Sequence, residues 1–134
     1  MLFRSRPYLL RFGDIVLLKA EALNETGKLN EAVTEVNRIR TRAKLPNLSA
    51  EKTASKEALR LAILNERRLE LAQESQRWDD LVRLGLAVST MQNLQEIDLR
   101  TNTPTDYGMT EAKILLPIPQ QEIDRNPNLE QNPL

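Results

Sequence analysis

The sequence contains neither histidine nor cysteine, and these two absences exclude several classes of functional site. Zinc sites of the His/Cys type, thiol nucleophiles and Ser-His-Asp triads cannot be built without those side chains. No disulfide can form, so cysteine usage leaves the redox compartment undetermined. We therefore expect no catalytic residues, no metal site and no cofactor. A chain of this kind suits the non-covalent capture of a ligand.

Aromatic residues are also scarce and make up 4% of the chain. They are Phe3, Tyr8, Phe12, Trp78 and Tyr107. Grooves that bind oligosaccharides use aromatic faces that stack on the sugar rings. Five dispersed aromatic side chains do not make a convincing groove of that kind.

The chain lacks long apolar runs and an excess of charge of either sign. Its 19 basic and 19 acidic residues give a net charge of zero, so a nucleic-acid partner is not indicated. No run of about 18 apolar residues is present, so no segment is predicted to cross a membrane as a helix. The length of 134 residues suits one domain.

Apolar residues at helical spacing dominate the first third of the chain. They predict a helix over Phe12–Thr26, with Gly27 where a glycine that ends a helix belongs. Asn30 is a plausible N-cap for a second helix that runs to about Ala43. Because the join is short, the two helices should lie antiparallel and form a hairpin over 11–43, which resembles a tetratricopeptide hairpin. The apolar face predicted for the first helix consists of Phe12, Ile15, Val16, Ala20, Ala22 and Leu23.

A long bent helical region is predicted over 54–94. It follows a cap at Thr53 or Ser55, and Ser75 marks a bend because serine is a weak helix former. A short helix from about Arg77 should end at Gly85.

A charge-rich stretch organises this region. At helical spacing its charges can pair along the helix, as Arg67 with Glu70 and Glu74 with Arg77, beside an apolar stripe. We interpret the stretch as a ladder of charges that fixes how one helix lies on its neighbours. The residues of this structural signature are Glu66, Arg67, Glu70, Glu74, Arg77, Trp78, Asp80 and Arg83.

A catalytic role is the alternative interpretation of the three glutamates Glu66, Glu70 and Glu74. Retaining glycosidases need two carboxyl groups about 5–5.5 Å apart that flank the scissile bond. Neighbours on one helix can approach that distance, but they point the same way and cannot act from opposite faces. The sequence therefore favours a protein that is not an enzyme.

The last third, 95–134, is predicted to form a loop and an extended tail. The polar segment Asp98–Thr110 is typical of an exposed loop, and its Tyr107 and the adjacent Asp106 are candidate ligand contacts. The alternative is that Tyr107 pins the loop to the body of the protein. Prolines in Ile114–Pro119 favour an extended segment that lies across the helices or on a sheet edge and buries Ile114, Leu116 and Ile118. A polyproline recognition peptide is the functional alternative. A short helix, Gln120–Asp124, should follow.

Four segments carry a pattern that covers nearly the whole chain. They are Ala20–Glu25 followed by Gly27; Val36–Ala43; Glu66–Glu74 with Arg77–Arg83; and Leu115–Gln120 with Glu122, Ile123, Asn126, Pro127 and Gln131–Pro133. Together they resemble the C-terminal part of the SusD/RagB family. These are surface lipoproteins of Bacteroidetes that capture nutrients for a TonB-dependent outer-membrane transporter. One departure is Ser75, where the family usually has glycine.

The resemblance implies an all-α fold. It consists of a tetratricopeptide-like helical hairpin plus further helices, with an extended Pro-rich C-terminal segment packed on them. Residues 1–134 should form a single helical domain, and we expect the chain to be a C-terminal fragment of a longer SusD-like protein.

The resemblance also implies a function, partners and a location. The chain would be the scaffold part of a protein that captures oligosaccharides or peptides, with the ligand bound mainly by upstream segments. A SusC-like TonB-dependent transporter would be its partner, and no nucleic acid is expected. The full-length protein would be a lipoprotein of the cell outer membrane that faces outward.

Two further hypotheses concern association with other chains. The chain could be a free-standing tetratricopeptide-like adaptor that binds another protein through a concave helical face. Helix faces exposed on a truncated scaffold often pair with another copy, so self-association of the fragment is also expected.

Overall fold

Helices dominate the structure of this protein. The structure is a computed structural model and describes residues 10–133. Within that range the chain forms seven helices, one 3-10 turn and one two-stranded sheet. The all-α fold class is therefore confirmed. The helices are α1 (Phe12–Glu25), α2 (Leu29–Arg42), α3 (Ala50–Thr53), α4 (Lys56–Glu70), α5 (Arg77–Arg83), α6 (Ala87–Gln92) and α7 (Gln120–Arg125).

Internal contacts divide the chain after Arg77 into two compact units. Unit 1 contains α1 to α4, and unit 2 begins at Trp78 within α5 and contains α6, the sheet and α7. The interpretation of residues 1–134 as one domain stays a prediction. Between residues 10 and 133, no helix combines the length and the apolar character that crossing a bilayer requires.

An apolar core shared by α1, α2 and α4 holds unit 1 together. Each helix contributes three buried residues, which are Val16, Leu17 and Ala20; Ala32, Val36 and Ile39; and Leu59, Ala62 and Ile63. Burying a leucine or isoleucine side chain stabilises a fold by about 1.5–3 kcal/mol, so these residues supply the main favourable contribution. That contribution is non-directional and does not by itself fix the register of one helix on another.

The buried face of α1 differs from the predicted one. Phe12 and Ile15, predicted to be buried, are 66% and 43% exposed. Leu17 and Asn24, which lie outside the predicted face, are fully buried. The helix carries apolar residues on most sides, so its periodicity did not identify the side that faces the core.

The turn between α1 and α2 follows the predicted chemistry. Gly27 adopts a φ of +81°, and two backbone hydrogen bonds of 2.9 and 3.1 Å close the end of α1 in a Schellman arrangement. The predicted N-cap of α2 is wrong. The helix begins at Leu29, so Asn30 lies within its first turn and is not the N-cap.

The helix α4 begins as predicted and ends earlier than expected. Ser55 is its N-cap, and the Ser55 hydroxyl accepts a hydrogen bond of 3.1 Å from the backbone N–H of Ala58. The helix ends at Glu70, and the bend that follows contains Gln73 and Ser75 with φ values of +66° and +61°. The predicted bend is confirmed, and its cause is left-handed backbone rather than a serine inside a continuous helix.

Unit 2 contains two short helices and a small hairpin. Helix α5 is followed by Gly85 at a φ of +66°, as predicted, and α6 comes next. Strands β1 (Ile97–Asp98) and β2 (Thr103–Pro104) then pair antiparallel, with Ile97 opposite Pro104. The segment predicted to be an exposed loop therefore contains a short hairpin.

The Pro-rich segment is held by the C-terminal tail. The side-chain amide of Gln131 accepts a hydrogen bond of 2.8 Å from the Ile118 N–H and donates one of 2.9 Å to the Ile118 carbonyl. Asn132 donates to the carbonyl of Leu116 at 2.8 Å. These bonds satisfy the peptide groups between the two prolines, where a regular strand could not form.

The side chains of this segment are less buried than predicted. Leu116 is 83% exposed, so the prediction of its burial is wrong, while Ile114 and Ile118 are half-buried. A 3-10 turn over Glu111–Ile114 delays the start of the extended backbone until Leu115. The alternation of buried and exposed side chains that the prediction implied therefore does not begin at Ile114.

The positive φ of Ser75 predicts that Ser75→Gly stabilises the chain. Relief of left-handed strain outweighs the entropy lost by glycine, so the free energy of unfolding should rise by about 0.5–1 kcal/mol in urea titrations. The matched control is Ser49→Gly, because Ser49 has a φ of −69°. That variant should lose about 0.5 kcal/mol. Equal destabilisation by both substitutions would show that the Ser75 backbone is not strained.

Candidate functional site

Ion pairs from the C-terminal half of α4 reach the two other core helices of unit 1. Glu66 Oε2 lies 2.7 Å from Arg40 Nη1 of α2. At the next position, Arg67 Nη1 lies 2.6 Å from Asp14 Oδ1 of α1. Glu66 and Arg67, two successive residues of opposite charge, thus connect α4 to α2 and to α1.

These two pairs lie inside the protein rather than on its surface. Glu66 and Arg67 are each 3% exposed, and Asp14 is 6% exposed. Removing charges from water is costly, and a buried pair offsets that cost only when its geometry is good. Removing one partner takes away an interaction that offsets the burial of the other charge, so we expect these pairs to favour one packing of α1, α2 and α4.

Glu70 and Glu74 form a second cluster with arginines outside α4. Glu70 lies 2.6 Å from Arg42 Nη2 and 2.6 Å from Arg11 Nη1, and the Glu70 carbonyl accepts a further hydrogen bond from Arg11. Glu74 Oε1 lies 2.8 Å from Arg11 Nε. Hydrogen bonds from Arg11 to Glu74, and then to Glu70, raise the pKa of Arg11. The segment before α1 is therefore tied to the bend after α4.

Gly13 makes the close approach in this cluster possible. A Cβ atom at position 13 would lie 2.6 Å from Glu70 Oε1 and 3.0 Å from Arg11 Nη1. Both atoms are the ends of flexible side chains and take part in the ion pairs, so a larger side chain at position 13 would require these ends to shift. Helical spacing alone gives no indication of this role of Gly13.

The predicted ladder along one helix is wrong for Glu70 and Glu74. Their partners are Arg11 and Arg42, because α4 ends at Glu70 and the bend carries Glu74 away from the helix axis. Asp80 does pair within its own helix, with Arg83 Nη2 at 2.8 Å. The remaining signature residues, Arg77 and Trp78, form the first turn of α5, where Trp78 is 39% exposed.

The partners of the signature residues were missed by sequence reasoning. Arg11, Asp14, Arg40 and Arg42 lie 26 to 63 residues from the carboxylates or guanidinium groups they bind. Asp14 offered one signal, since it is a single acid in an otherwise apolar stretch that starts a helix. The structural role of the signature itself stays a prediction.

The two candidate ligand contacts, Asp106 and Tyr107, lie in unit 2. The Tyr107 hydroxyl donates a hydrogen bond to Glu96, which raises the pKa of Tyr107. Asp106 Oδ1 accepts a hydrogen bond of 2.7 Å from the Gly108 N–H. Glu96 and Asp106 line one groove with a volume of about 560 Å³. A ligand-binding role for Asp106 and Tyr107 stays a prediction.

Comparison with known proteins places the chain in a family. The SusD family matches residues 3–134. The chain belongs to the SusD family. Among curated relatives, it is 38% identical to the SusD-like protein P38 and 37% identical to the SusD-like protein P2, both from Formosa agariphila. Each match covers 92% of this chain and 24% of the relative.

Solved structures of SusD-like proteins share the fold. One from Bacteroides fragilis aligns with a TM-score of 0.75 and 35% identity, over 92% of this chain and 25% of its own. A SusD superfamily protein from Bacteroides vulgatus aligns with a TM-score of 0.74 and 30% identity, over 92% of this chain and 26% of its own. The chain thus spans about a quarter of the length of these SusD proteins.

The burial of the Asp14–Arg67 pair predicts a large effect of Asp14→Asn. The substitution keeps the shape of the side chain but removes the charge that faces the buried Arg67 guanidinium, so the chain should lose about 3 kcal/mol of unfolding free energy. Urea titration measures this loss. The matched control is Glu31→Gln, which removes an exposed partner 3.9 Å from Lys28 and should change stability by less than 0.5 kcal/mol. Similar small effects of both substitutions would contradict the buried-pair account.

A third ion-pair group predicts how stability depends on pH. Arg60, followed by Lys56, lowers the pKa of Glu25 to about 2. The folded pKa of Glu25 lies below its unfolded pKa of about 4.3, so the ionised Glu25 stabilises the fold. This contribution to the free energy of unfolding is complete above about pH 4.3 and is lost as the pH falls towards 2. Between pH 5 and 2, Glu25→Gln should lose less stability than the parent chain. In the control Glu51→Gln, the stability should change with pH as it does in the parent chain. The same pH dependence of stability in all three chains would refute the assignment of this effect to Glu25.

Proposed function

We propose that this chain is the helical scaffold of a SusD-like nutrient-binding protein on the cell surface. The full-length protein would capture oligosaccharides or peptides and deliver them to a SusC-like TonB-dependent transporter. Family membership supports this function, and the ion pairs between α1, α2 and α4 support the scaffold role. The location we propose is the outer membrane, with a lipoprotein anchor and an outward orientation.

The ion pairs are the observation that carries the scaffold role. Glu66, Glu70 and Glu74 each bind a guanidinium group of another segment. Their charges are therefore committed to holding the helices and the bend together. We propose that the ligand is bound mainly by upstream segments and that the scaffold positions them.

The same contacts weigh against a glycosidase. Its two carboxyl groups must flank one bond from opposite faces. Here each of the three glutamates forms an ion pair with an arginine of α2 or of the segment before α1. We therefore propose capture without chemical conversion of the ligand.

The proposal predicts how Arg42→Gln behaves in the full-length protein. Arg42 is an exposed partner of Glu70, so its loss should lower Tm by a few degrees and leave the Kd for the captured ligand within twofold. Screening the full-length protein against oligosaccharides and peptides identifies that ligand, and calorimetry gives Kd and Tm for both forms.

Arg68→Gln is the control, because it also removes an exposed arginine, which in this case belongs to α4. It should change neither Tm nor Kd appreciably. A Kd raised tenfold by Arg42→Gln at unchanged Tm would instead make this residue a ligand contact. Failure of the full-length protein to bind any oligosaccharide, peptide or transporter would overturn the proposed function.

A further inference from the structure

The groove in unit 2 differs from the ion-paired surfaces of unit 1 in its charge. It lies between the end of α6 and the β1–β2 hairpin and has a volume of about 560 Å³. Its apolar lining comes from Met91, Leu94, Ile97 and Pro104, and its acidic lining comes from Glu96 and Asp106. Pockets of 300–1,000 Å³ with an apolar surface and a few polar groups are typical of ligand sites.

Hydrogen bonds fix the walls of this groove in place. The Thr105 N–H donates to the Glu96 carbonyl at 2.8 Å, next to the paired strands. Gln92 donates to the Met109 carbonyl at 3.0 Å, which connects α6 to the segment after the hairpin. A groove with walls held in this way needs little ordering when a ligand binds, so less of the interaction energy is lost.

Both carboxylates of the groove receive hydrogen bonds from neutral donors. Glu96 is bonded by the Tyr107 hydroxyl, and Asp106 is bonded by the Gly108 N–H. Within residues 10–133, neither carboxylate forms an ion pair, whereas Asp98 pairs with Arg100 and Glu122 pairs with Arg125. Lys113 donates to the Gly108 carbonyl at 2.8 Å. Two negative charges thus stand beside an apolar surface without a paired cation.

The chemistry of the lining distinguishes between two classes of ligand. A sugar would find no aromatic side chain in the lining on which to stack. An ammonium or guanidinium group next to an aliphatic side chain would match both the carboxylates and the apolar surface. From this complementarity we infer that the groove binds a peptide segment in which a lysine or arginine adjoins an aliphatic residue.

This inference rests on the proposed function only in treating the protein as a binder of peptides or oligosaccharides. It narrows the ligand to a peptide with a basic residue next to an aliphatic one and adds a site, and it does not involve the transporter. A protein that captures a neutral glycan elsewhere would keep the proposed function even if the groove bound no peptide.

Two short peptides and one sugar test the inference with the 134-residue chain. The probes are acetyl-lysyl-leucine amide, its neutral analogue acetyl-glutaminyl-leucine amide, and maltotriose. Titrations followed by amide chemical shifts should show the lysyl peptide binding at millimolar concentrations, with the shifts centred on Glu96, Ile97 and Thr105. The neutral analogue should bind about fivefold more weakly, since one exposed ion pair changes affinity by that factor at most.

The double variant Glu96→Gln with Asp106→Asn tests the role of the carboxylates. Both replacements keep an oxygen that can accept the bonds from Tyr107 and Gly108, so the groove should keep its shape, and circular dichroism checks this. Affinity for the lysyl peptide should fall by up to about fivefold, and added salt should weaken binding to the parent chain. Glu130→Gln, an exposed change in the tail, is the control and should have no effect.

Three results would overturn the inference. They are equal binding of the lysyl and glutaminyl peptides, stronger binding of maltotriose than of either peptide, and the absence of groove shifts up to 20 times the protein concentration. Unchanged affinity in a folded double variant would equally exclude the two carboxylates from recognition.

Discussion

The ion pairs between α4 and the other two core helices are the constraint on which unit 1 depends. Glu66 binds Arg40 of α2, and Arg67 binds Asp14 of α1. Apolar burial has no direction of its own, whereas each ion pair joins particular atoms of α4 to one partner helix. Sliding either partner helix along α4 would separate the atoms that these pairs join. We propose that the ion pairs help to select the arrangement of the three helices.

The second cluster extends this arrangement beyond the helices. Arg11 precedes α1 and binds both Glu70 and Glu74, so the start of the described chain and the bend after α4 are held together. Gly13 leaves the space for this contact. A scaffold whose segments are tied together in this way is suited to positioning other segments. This is the part that we propose for the chain within a SusD protein.

Local features of the structure could be predicted from the sequence, and long-range pairings could not. Gly27 and Ser55 act where their backbone and capping preferences place them, because those preferences depend on adjacent residues. The partners of Glu70 lie 28 and 59 residues away, and helical spacing offers only the nearer charges as candidates. The buried face of α1 also depended on neighbouring helices, because the helix itself is apolar on most sides.

A double-mutant cycle on Arg40 and Glu66 tests most directly whether pairs between helices hold the fold. The residues belong to α2 and α4, and their side chains are 14% and 4% exposed. The free energies of unfolding of the parent, Arg40→Met, Glu66→Gln and the double variant give the coupling energy. The ion-pair account predicts a favourable coupling of about 1–3 kcal/mol. A coupling of less than about 0.3 kcal/mol, within the range of independent sites, would contradict it.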